Sequence, residues 1–257
     1  TLRSDGRERH HLLHVPPDAT SRPDLVIALH ALGSNPRLME AMTQLSSRAD
    51  ELGFIVSYPE GVRSSVSGVT SWNARFCCRD AKAEGVDDVL FVSDLIDSMK
   101  DEHQVGRVLV TGFSNGGMLA HVVGAELSDK VDMIAPVAAT VGKEILDLVP
   151  KRPVAALIIH GQEDRLVPYL SRGDDRFLPA IEAERYWVRA NGCSGVDEEE
   201  TSDAIVRRYG GSCCVTSIIV KNAGHVWPGG RARMGGEHDP KTVDATDLIL
   251  NSFLSNG

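Results

Sequence analysis

The sequence predicts an α/β fold in which a mostly parallel sheet is covered by helices on both faces. Short apolar runs of strand length alternate with stretches whose apolar residues recur at helical spacing. Several of these runs are continuously apolar, which is typical of strands buried on both faces. The 257 residues contain no internal repeat and no linker-like segment, so we expect a single domain over residues 1–257.

Predicted strands and helices alternate through the first half of the chain. In order, they are an edge strand at 9–15, a buried strand at 25–29, a helix at 37–52, a strand at 54–58, an irregular loop at 62–85 and a helix at 87–103. Gly53 suits the end of the first helix. Asp87 and Asp88 suit the positive start of the second. The loop is long, and long loops are often functional.

The second half continues this alternation. Its expected elements are a strand from 108 that leads into a helix after residue 114, a strand at 133–138, a short helix within 143–149, a strand at 154–160, a helix at 179–191, a strand at 215–220 and a closing helix at 242–254. Gly192 suits the end of the helix at 179–191. The acidic run at 198–200 is interpreted as a solvated loop.

The point where the strand from 108 meets its helix carries the pattern Gly-x-Ser-x-Gly, centred on Ser114. A serine hydroxyl becomes nucleophilic only when a base takes its proton, so it must be held clear of the backbone. A strained strand-to-helix turn does this, and its tight packing requires small residues such as Gly112 and Gly116. We therefore expect Ser114 to be a catalytic nucleophile, although a glycine-rich loop could carry the same pattern by chance.

Two further reactive side chains follow later predicted strands. Asp164 lies just beyond the strand at 154–160, and His225 lies in a glycine-flanked loop after the strand at 215–220. Because reactive groups of parallel sheets lie at the carboxyl ends of the strands, we expect both residues to meet Ser114. The order Ser, Asp, His along the chain is that of α/β-hydrolases. His225 would be the general base and Asp164 would orient its ring.

Other residues compete for these roles. The alternative acids are Glu163, Asp174 and Asp175, and the alternative bases are His121, His160 and His238. Acyl transfer also needs donors for an oxyanion. The backbone N–H of Asn115, directly after the nucleophile, is one expected donor, and that of Leu32 is the other. Trp72 and Trp227 are expected to line the substrate pocket or to pack in the interior.

Composition excludes several classes of partner. The formal net charge is −9 and no basic cluster is present, which argues against nucleic acid and predicts a neutral or weakly charged substrate. No apolar run approaches the roughly 20 residues that span a bilayer. His10 and His14 share one face of the early strand, but no acidic or cysteine partner is near them, so we expect neither a metal nor a cofactor.

The five cysteines occur as Cys77-Cys78, Cys193 and Cys213-Cys214, without the C-x-x-C spacing of a zinc site. Disulfides are the favoured use, and a bridge from Cys193 to Cys213 or Cys214 is the expected one. Such bridges indicate an oxidising compartment, whereas reduced buried cysteines would indicate the cytosol. A chain that begins at Thr1 fits a mature or trimmed form, and we expect a secreted or periplasmic protein.

Several short motifs together resemble one family, the polyhydroxybutyrate-depolymerase type of secreted α/β-hydrolase esterase, which includes feruloyl and acetyl xylan esterases. The motifs are Leu29-His30 with Gly33, Tyr58-Pro59 with Gly61, Trp72-Asn73 followed by Cys77-Cys78, Gly85 to Asp88, Gly112 to Gly117, His160-Gly161 with Asp164, Val167-Pro168, and Gly224 to Gly229. The resemblance implies an ester hydrolase with the triad Ser114, Asp164 and His225.

The chain departs from the family where Ala31 replaces the usual glycine after His30. No appended substrate-binding domain or linker is visible, so we expect soluble esters or hydroxyalkanoate oligomers rather than crystalline polyester as substrates. Two alternatives remain. The same triad could catalyse acyl transfer or peptide hydrolysis, or the fold could serve a catalytically silent carbohydrate- or wall-binding protein.

Overall fold

The computed structural model describes residues 1–170, 177–210, 215–232 and 236–255. Its strands are β1 (Leu2–Ser4), β2 (Arg7–Arg9), β3 (His11–His14), β4 (Leu25–Leu29), β5 (Ile55–Pro59), β6 (Val62–Arg63), β7 (Thr70–Ser71), β8 (Val108–Phe113), β9 (Met133–Val137), β10 (Ala155–Gly161), β11 (Ser194–Glu200), β12 (Ala204–Gly210) and β13 (Val215–Val220). Its helices are α1 (Pro36–Thr43), α2 (Leu45–Leu52), α3 (Arg79–Ala83), α4 (Asp88–His103), α5 (Asn115–Glu126), α6 (Lys143–Leu146), α7 (Ile181–Ala190) and α8 (Ala245–Ser255).

A nine-stranded sheet runs through the described residues in the order β11-β12-β13-β10-β9-β8-β4-β5-β3. Its centre, from β13 to β5, is parallel throughout. Antiparallel strands close both ends, β3 beside β5 and the β11–β12 hairpin beside β13. The predicted α/β class with a mostly parallel sheet is confirmed.

Helices cover both faces of this sheet because its central strands are apolar on both sides. In β4, Leu25, Ile27 and Leu29 join one hydrophobic core, whereas Val26 and Ala28 join the other. The first core is completed by α4, α5 and α7, and the second by α1, α2 and α8. The continuous apolar run of β4 therefore reflects burial on both faces.

Two predictions of secondary structure were wrong. The helix expected at 37–52 is two helices, α1 and α2, because Gln44 between them adopts a left-handed conformation with φ 54°. The acidic run expected to be a loop forms the end of β11. There Glu198 pairs with Arg207, and Glu199 with Arg208, across the β11–β12 hairpin. These cross-strand ion pairs stabilise the extended conformation of an acidic segment.

The predicted loop at 62–85 contains β6, β7 and α3, and a buried carboxylate anchors it. Asp88, at the start of α4, accepts hydrogen bonds from the Asn73 backbone N–H at 2.7 Å and from the Arg9 guanidinium at 2.6 Å. Burial raises the pKa of Asp88, and the Arg9 charge opposes that rise. The guanidinium also lies 3.9 Å from the centre of the Phe91 ring. This network fixes the loop against α4.

Candidate active site

Ser114 lies in a strained turn between β8 and α5, with φ 55° and ψ −118°. The surrounding backbone is packed so closely that neighbouring glycines cannot be replaced. A Cβ at Gly116 would lie 2.2 Å from the Leu29 carbonyl oxygen, and one at Gly112 would lie 2.4 Å from the Gly116 carbonyl carbon. The Ser114 N–H donates to the Val137 carbonyl at 2.9 Å. The turn therefore holds the Ser114 hydroxyl in a fixed position, as the sequence pattern predicts.

Three side chains from different strand ends meet at this turn. The Ser114 hydroxyl lies 2.9 Å from Nε2 of His225, and Nδ1 of His225 lies 2.7 Å from Oδ2 of Asp164. His225 and Asp164 are buried. An ionised carboxylate can only accept, so Nδ1–H of His225 donates to Asp164 and Nε2 is left to accept from Ser114. The structure brings together the three residues that the sequence places at strand ends.

Asp164 is held by the turn that follows it. Its Oδ1 accepts hydrogen bonds from the backbone N–H groups of Leu166 at 2.9 Å and Val167 at 2.7 Å. His160 packs on the other side, with Nε2 2.7 Å from the Val167 carbonyl oxygen and 3.4 Å from Oδ2 of Asp164. Burial lowers the pKa of His160, which favours a neutral ring. Each carboxylate oxygen of Asp164 therefore has its own partner.

The His225 loop is fixed by a residue that the sequence did not single out. The backbone N–H of His225 donates to the Glu237 carboxylate, and the Gly224 N–H donates to the His238 carbonyl at 2.9 Å. The ring of Phe113, at the end of β8, lies 5.1 Å from the His225 ring. Glu237 lies in a polar segment without strand or helix spacing, so no sequence pattern indicated its position.

The other candidates for acid and base lie elsewhere or have other partners. Glu163 is exposed, and His238 is exposed while its carbonyl serves the His225 loop. His121 is buried in α5, where Nδ1 accepts from the Trp187 indole at 2.9 Å and burial lowers its pKa to about 3. Asp174 and Asp175 lie outside the described residues.

Leu32 and Asn115 border the same cavity as Ser114. The Asn115 side chain exchanges two hydrogen bonds with the Trp72 backbone, accepting from its N–H at 2.9 Å and donating to its carbonyl at 3.1 Å. His30 is buried, with Nδ1–H donating to Ala31 and Nε2 accepting from the Gly61 N–H, and burial lowers its pKa to about 4. A neutral His30 therefore braces the loop that presents Leu32.

The structure corrects the expectation that two tryptophans line the pocket. Trp72 is fully buried, and its indole N–H donates to the His30 carbonyl at 2.8 Å. Trp227 is 3% exposed and donates to the Thr246 hydroxyl at 3.1 Å. Neither is among the described residues that line the cavity. Both indoles pack in the protein interior. The loops that carry them pass near the site, but their side chains point away from the cavity surface.

The cavity at Ser114 has a volume of about 940 Å³. Its described lining residues are Leu32, Phe76, Cys77, Cys78, Arg79, Lys82, Ser114, Asn115, Met118, Gly142, Lys143, Glu144, Leu166, Val167, Phe177, Leu178 and His225. Apolar side chains form much of this wall. The sequence indicated part of this wall, since the long loop at 62–85 supplies five lining residues. The short helix expected within 143–149 is α6, but no sequence pattern indicated that α6 or the residues near Phe177 line the cavity.

Cys77 and Cys78 are joined by a disulfide in the cavity wall. Cys193 is also disulfide-bonded. Cys213 and Cys214 lie outside the described residues, so the pairing expected for Cys193 stays a prediction. Within the described ranges, no group of three or more His, Cys, Asp or Glu side chains could hold a metal ion, and no helix there is long and apolar enough to cross a bilayer.

The chain is similar to a known family and to several named esterases. A family described as phospholipase/carboxylesterase matches residues 13–174. The Nocardia uniformis subsp. tsuyamanensis protein named "Putative esterase NocK" is 30% identical over 276 residues, covering 96% of this chain and 77% of that protein. Feruloyl esterase B of Piromyces equi is 29% identical over 189 residues, covering 69% of this chain and 34% of that protein.

The fold also matches solved structures. The acetyl xylan esterase from Aspergillus awamori superposes with a TM-score of 0.67 at 16% identity, covering 95% of this chain and 93% of that one. At that identity the likeness establishes the fold alone, which is the α/β-hydrolase fold. The chain spans about a third of the length of the Piromyces equi relative, so the likeness to that protein concerns only part of it.

Proposed function

The chain belongs to the phospholipase/carboxylesterase family, and on that premise we propose that it hydrolyses carboxylic esters with Ser114 as nucleophile, His225 as general base and Asp164 as the acid that orients it. It is an ester hydrolase of the α/β-hydrolase fold. The observation that carries the proposed triad is the continuous chain of hydrogen bonds from Ser114 through His225 to Asp164, at 2.9 and 2.7 Å.

In the first half of the reaction, Oγ of Ser114 attacks the ester carbonyl carbon while Nε2 of His225 takes the hydroxyl proton. The carbonyl π bond opens and places negative charge on the substrate oxygen. Asp164 keeps Nδ1 protonated and stabilises the imidazolium that forms. His225 then gives its proton to the leaving alcohol oxygen, the C–O bond breaks, and an acyl group remains on Ser114.

The oxyanion needs donors that are in place before the reaction begins. We assign this role to the backbone N–H groups of Asn115 and Leu32. Asn115 begins α5, whose positive end favours negative charge. Leu32 borders the cavity from a loop that the buried His30 braces. In the second half of the reaction, water gives a proton to Nε2 of His225 and attacks the acyl carbonyl carbon. The bond from that carbon to Oγ of Ser114 then breaks, His225 returns the proton to Oγ, and the acid is released.

For the substrate, we propose feruloyl- or acetyl-type esters or hydroxyalkanoate oligomers. The names of the relatives support an aromatic or small acyl group, and the cavity volume of about 940 Å³ is large enough for a drug-sized molecule. Apolar residues such as Phe76, Met118 and Leu178 line the cavity and suit an apolar acyl chain. Acyl transfer to an acceptor other than water uses the same triad and must be separated by product analysis.

Active-site labelling tests the proposed triad. A fluorophosphonate probe should form one adduct on Ser114 in folded protein and none in Ser114→Ala. Lack of labelling in folded wild-type protein would leave a catalytically silent binding protein as the better account. A side-by-side panel of p-nitrophenyl, feruloyl, acetylated-xylan and hydroxybutyrate-oligomer esters should then rank the substrates. Adding alcohols or amines to the assay distinguishes hydrolysis from acyl transfer by the products formed.

We further propose that the protein works as one catalytic domain in a secreted or periplasmic setting. Support for one domain comes from the two hydrophobic cores, which share the two faces of the same sheet. Support for the compartment comes from the Cys77–Cys78 disulfide and from the disulfide-bonded state of Cys193, because disulfides persist in oxidising compartments. Mass mapping of unreduced protein purified from its native host tests this, and free thiols at all three cysteines would contradict it.

A further inference from the structure

The cavity beside Ser114 differs in charge from the rest of the chain. Over the whole sequence, 36 acidic residues outnumber 27 Lys and Arg residues. Among the described residues that line the cavity the balance is reversed, with Arg79, Lys82 and Lys143 against the single carboxylate of Glu144. A local excess of positive charge in a concave site attracts anions despite a negative protein. The net charge of the whole chain therefore does not describe the charge of the described cavity wall.

The three basic residues come from two short helices that meet at Phe76. Arg79 and Lys82 both belong to α3, and both line the cavity. Lys82 donates through Nζ to the Phe76 carbonyl oxygen at 3.0 Å. Lys143 begins α6 directly after Gly142, where a Cβ would lie 2.3 Å from the Phe76 ring. Phe76 thus brings the two basic segments to one part of the cavity.

The positive charges of the three basic residues in the cavity wall are available to a ligand. Within the described ranges, no carboxylate forms an ion pair with Arg79, Lys82 or Lys143, and all three side chains are exposed. Lys82 keeps two further N–H donors after its bond to Phe76. Two acidic side chains lie nearby in sequence. Asp80 accepts a hydrogen bond from Ser67 at 3.2 Å, and Glu144 shares the cavity wall, which still leaves an excess of positive charge.

We propose that the cavity is specific for esters that also carry a carboxylate, separated from the scissile carbonyl by an apolar segment. The apolar segment would lie against Phe76 and Met118, and the carboxylate would pair with Arg79, Lys82 and Lys143. Arginine and lysine both bind carboxylates through charge-assisted hydrogen bonds. This inference rests on the proposed attack by Ser114, since it concerns the substrate of that same site. It differs from the expectation, based on composition, of a neutral or weakly charged substrate.

Matched pairs of esters provide the test. The p-nitrophenyl monoesters of adipic and suberic acid are compared with p-nitrophenyl hexanoate and octanoate, which have the same chain lengths without the carboxylate. Wild-type protein should show a higher kcat/KM for each acidic ester at low salt, and the ratio within each pair should fall as salt screens the charges. An exposed ion pair changes an equilibrium by up to about fivefold, so three together should produce about tenfold or more.

Variants locate the effect. The triple variant Arg79→Met, Lys82→Met, Lys143→Met should lower the acidic-to-neutral ratio by at least about fivefold, and Lys143→Glu should lower the ratio more than Lys143→Met. Lys151→Met is the matched control, because Lys151 pairs with Asp129 outside the cavity and its loss should leave the ratio at the wild-type value. Fluorophosphonate titration of each variant counts intact sites.

The possible results separate the two proposals. Labelled Ser114 with an equal ratio in wild type and triple variant would overturn the substrate inference and leave the esterase proposal standing. An equal fall in the ratio for Lys143→Met and Lys151→Met, which each remove one positive charge, would also overturn it, because overall charge would then explain the preference. If no ester is hydrolysed and Ser114 is not labelled, both proposals fail.

Discussion

One wall of the cavity, the rigid wall, is made of tight turns at strand ends and carries Ser114 and His225, whereas a second wall is made of the short helices α3 and α6. The first wall has little free space, since a Cβ at Gly116 would lie 2.2 Å from a carbonyl oxygen. The second presents exposed side chains such as Arg79 and Lys143. The chemistry therefore depends on backbone packing that tolerates almost no change, while the substrate-facing charges can vary at little cost to stability.

The largest effect should come from the side chains of the rigid wall. Ser114→Ala and His225→Ala should each lower kcat by about 10⁵-fold to 10⁶-fold, and the double variant should be no worse than either, because the two groups act as one unit. Steady-state kinetics on a p-nitrophenyl ester measures this. Losses that multiply in the double variant would show that the two residues act in separate steps.

The second-largest effect should come from substitution of Asp164. Asp164→Asn should lower kcat by about 10⁴-fold, since an amide can donate to Nδ1 and so favours the wrong His225 tautomer. Its neighbour Glu163 is exposed and supplies the control, Glu163→Gln, which should have a mild effect. If Glu163→Gln proved the more damaging of the two, the acid would be Glu163 and the interpretation of the 2.7 Å contact to Asp164 would be wrong.

Packing of the rigid wall predicts a stability difference between two glycines. Gly116→Ala should lower the free energy of unfolding by about 3 kcal/mol or more, because the added methyl group meets the Leu29 and His30 carbonyls. At Gly236 no atom of the described residues lies within 4 Å of an added Cβ, so Gly236→Ala should change stability by less than about 0.5 kcal/mol. Urea unfolding measures both. Similar losses in the two variants would show that the close packing at Ser114 is not limiting.

The free energy of unfolding should fall at acid pH, because the neutral histidines His30 and His121 are buried in the folded protein. The pKa values of His30 and His121 are lowered by burial to about 4 and about 3. Below pH 6.5 the unfolded chain binds protons on these rings that the folded protein does not, so stability is lost as pH falls from 6.5 towards 4. For His30 alone the loss approaches about 3 kcal/mol.

Urea unfolding between pH 7 and pH 4.5 measures this loss, with His30→Gln as the comparison. Carboxylates also contribute to acid unfolding, so the informative quantity is the difference in slope between the two proteins. His30→Gln should have lower stability at pH 7 but a shallower dependence on pH. Parallel curves for wild type and variant would mean that His30 is not a buried neutral histidine in solution.

Sequence reasoning located the three residues of the proposed triad because strand ends are easy to find in this chain. The strands β8, β10 and β13 consist mostly of apolar residues, and parallel strands bring their carboxyl ends to one edge. Trp72 and Trp227 were misplaced because a sequence position near the site does not fix the direction of a side chain. The helix break at Gln44 was missed, since a glutamine in a left-handed conformation has no composition signal.

The wall formed by α3 and α6 could not be predicted from the sequence, for a different reason. Lys143 is about 60 residues from Arg79 and Lys82 in sequence, and the close approach of Gly142 to Phe76 helps to bring the three into one cavity. No periodicity or spacing encodes such a contact. Glu237 illustrates the same limit, because its bond to the His225 backbone joins two irregular segments. Residues that act through loop-to-loop contacts require coordinates, whereas residues at strand ends do not.

The acidic strand β11 bears on how copies of this protein behave towards one another. β11 is the outermost strand at one end of the nine-stranded sheet, and all seven of its residues are exposed. An unpaired strand edge can recruit the edge of a second molecule and extend into an aggregate. Here the consecutive acids Asp197 to Glu200 would face like charges on the incoming strand, which is unfavourable. Charge repulsion between two copies of β11 therefore disfavours pairing through this edge of the sheet.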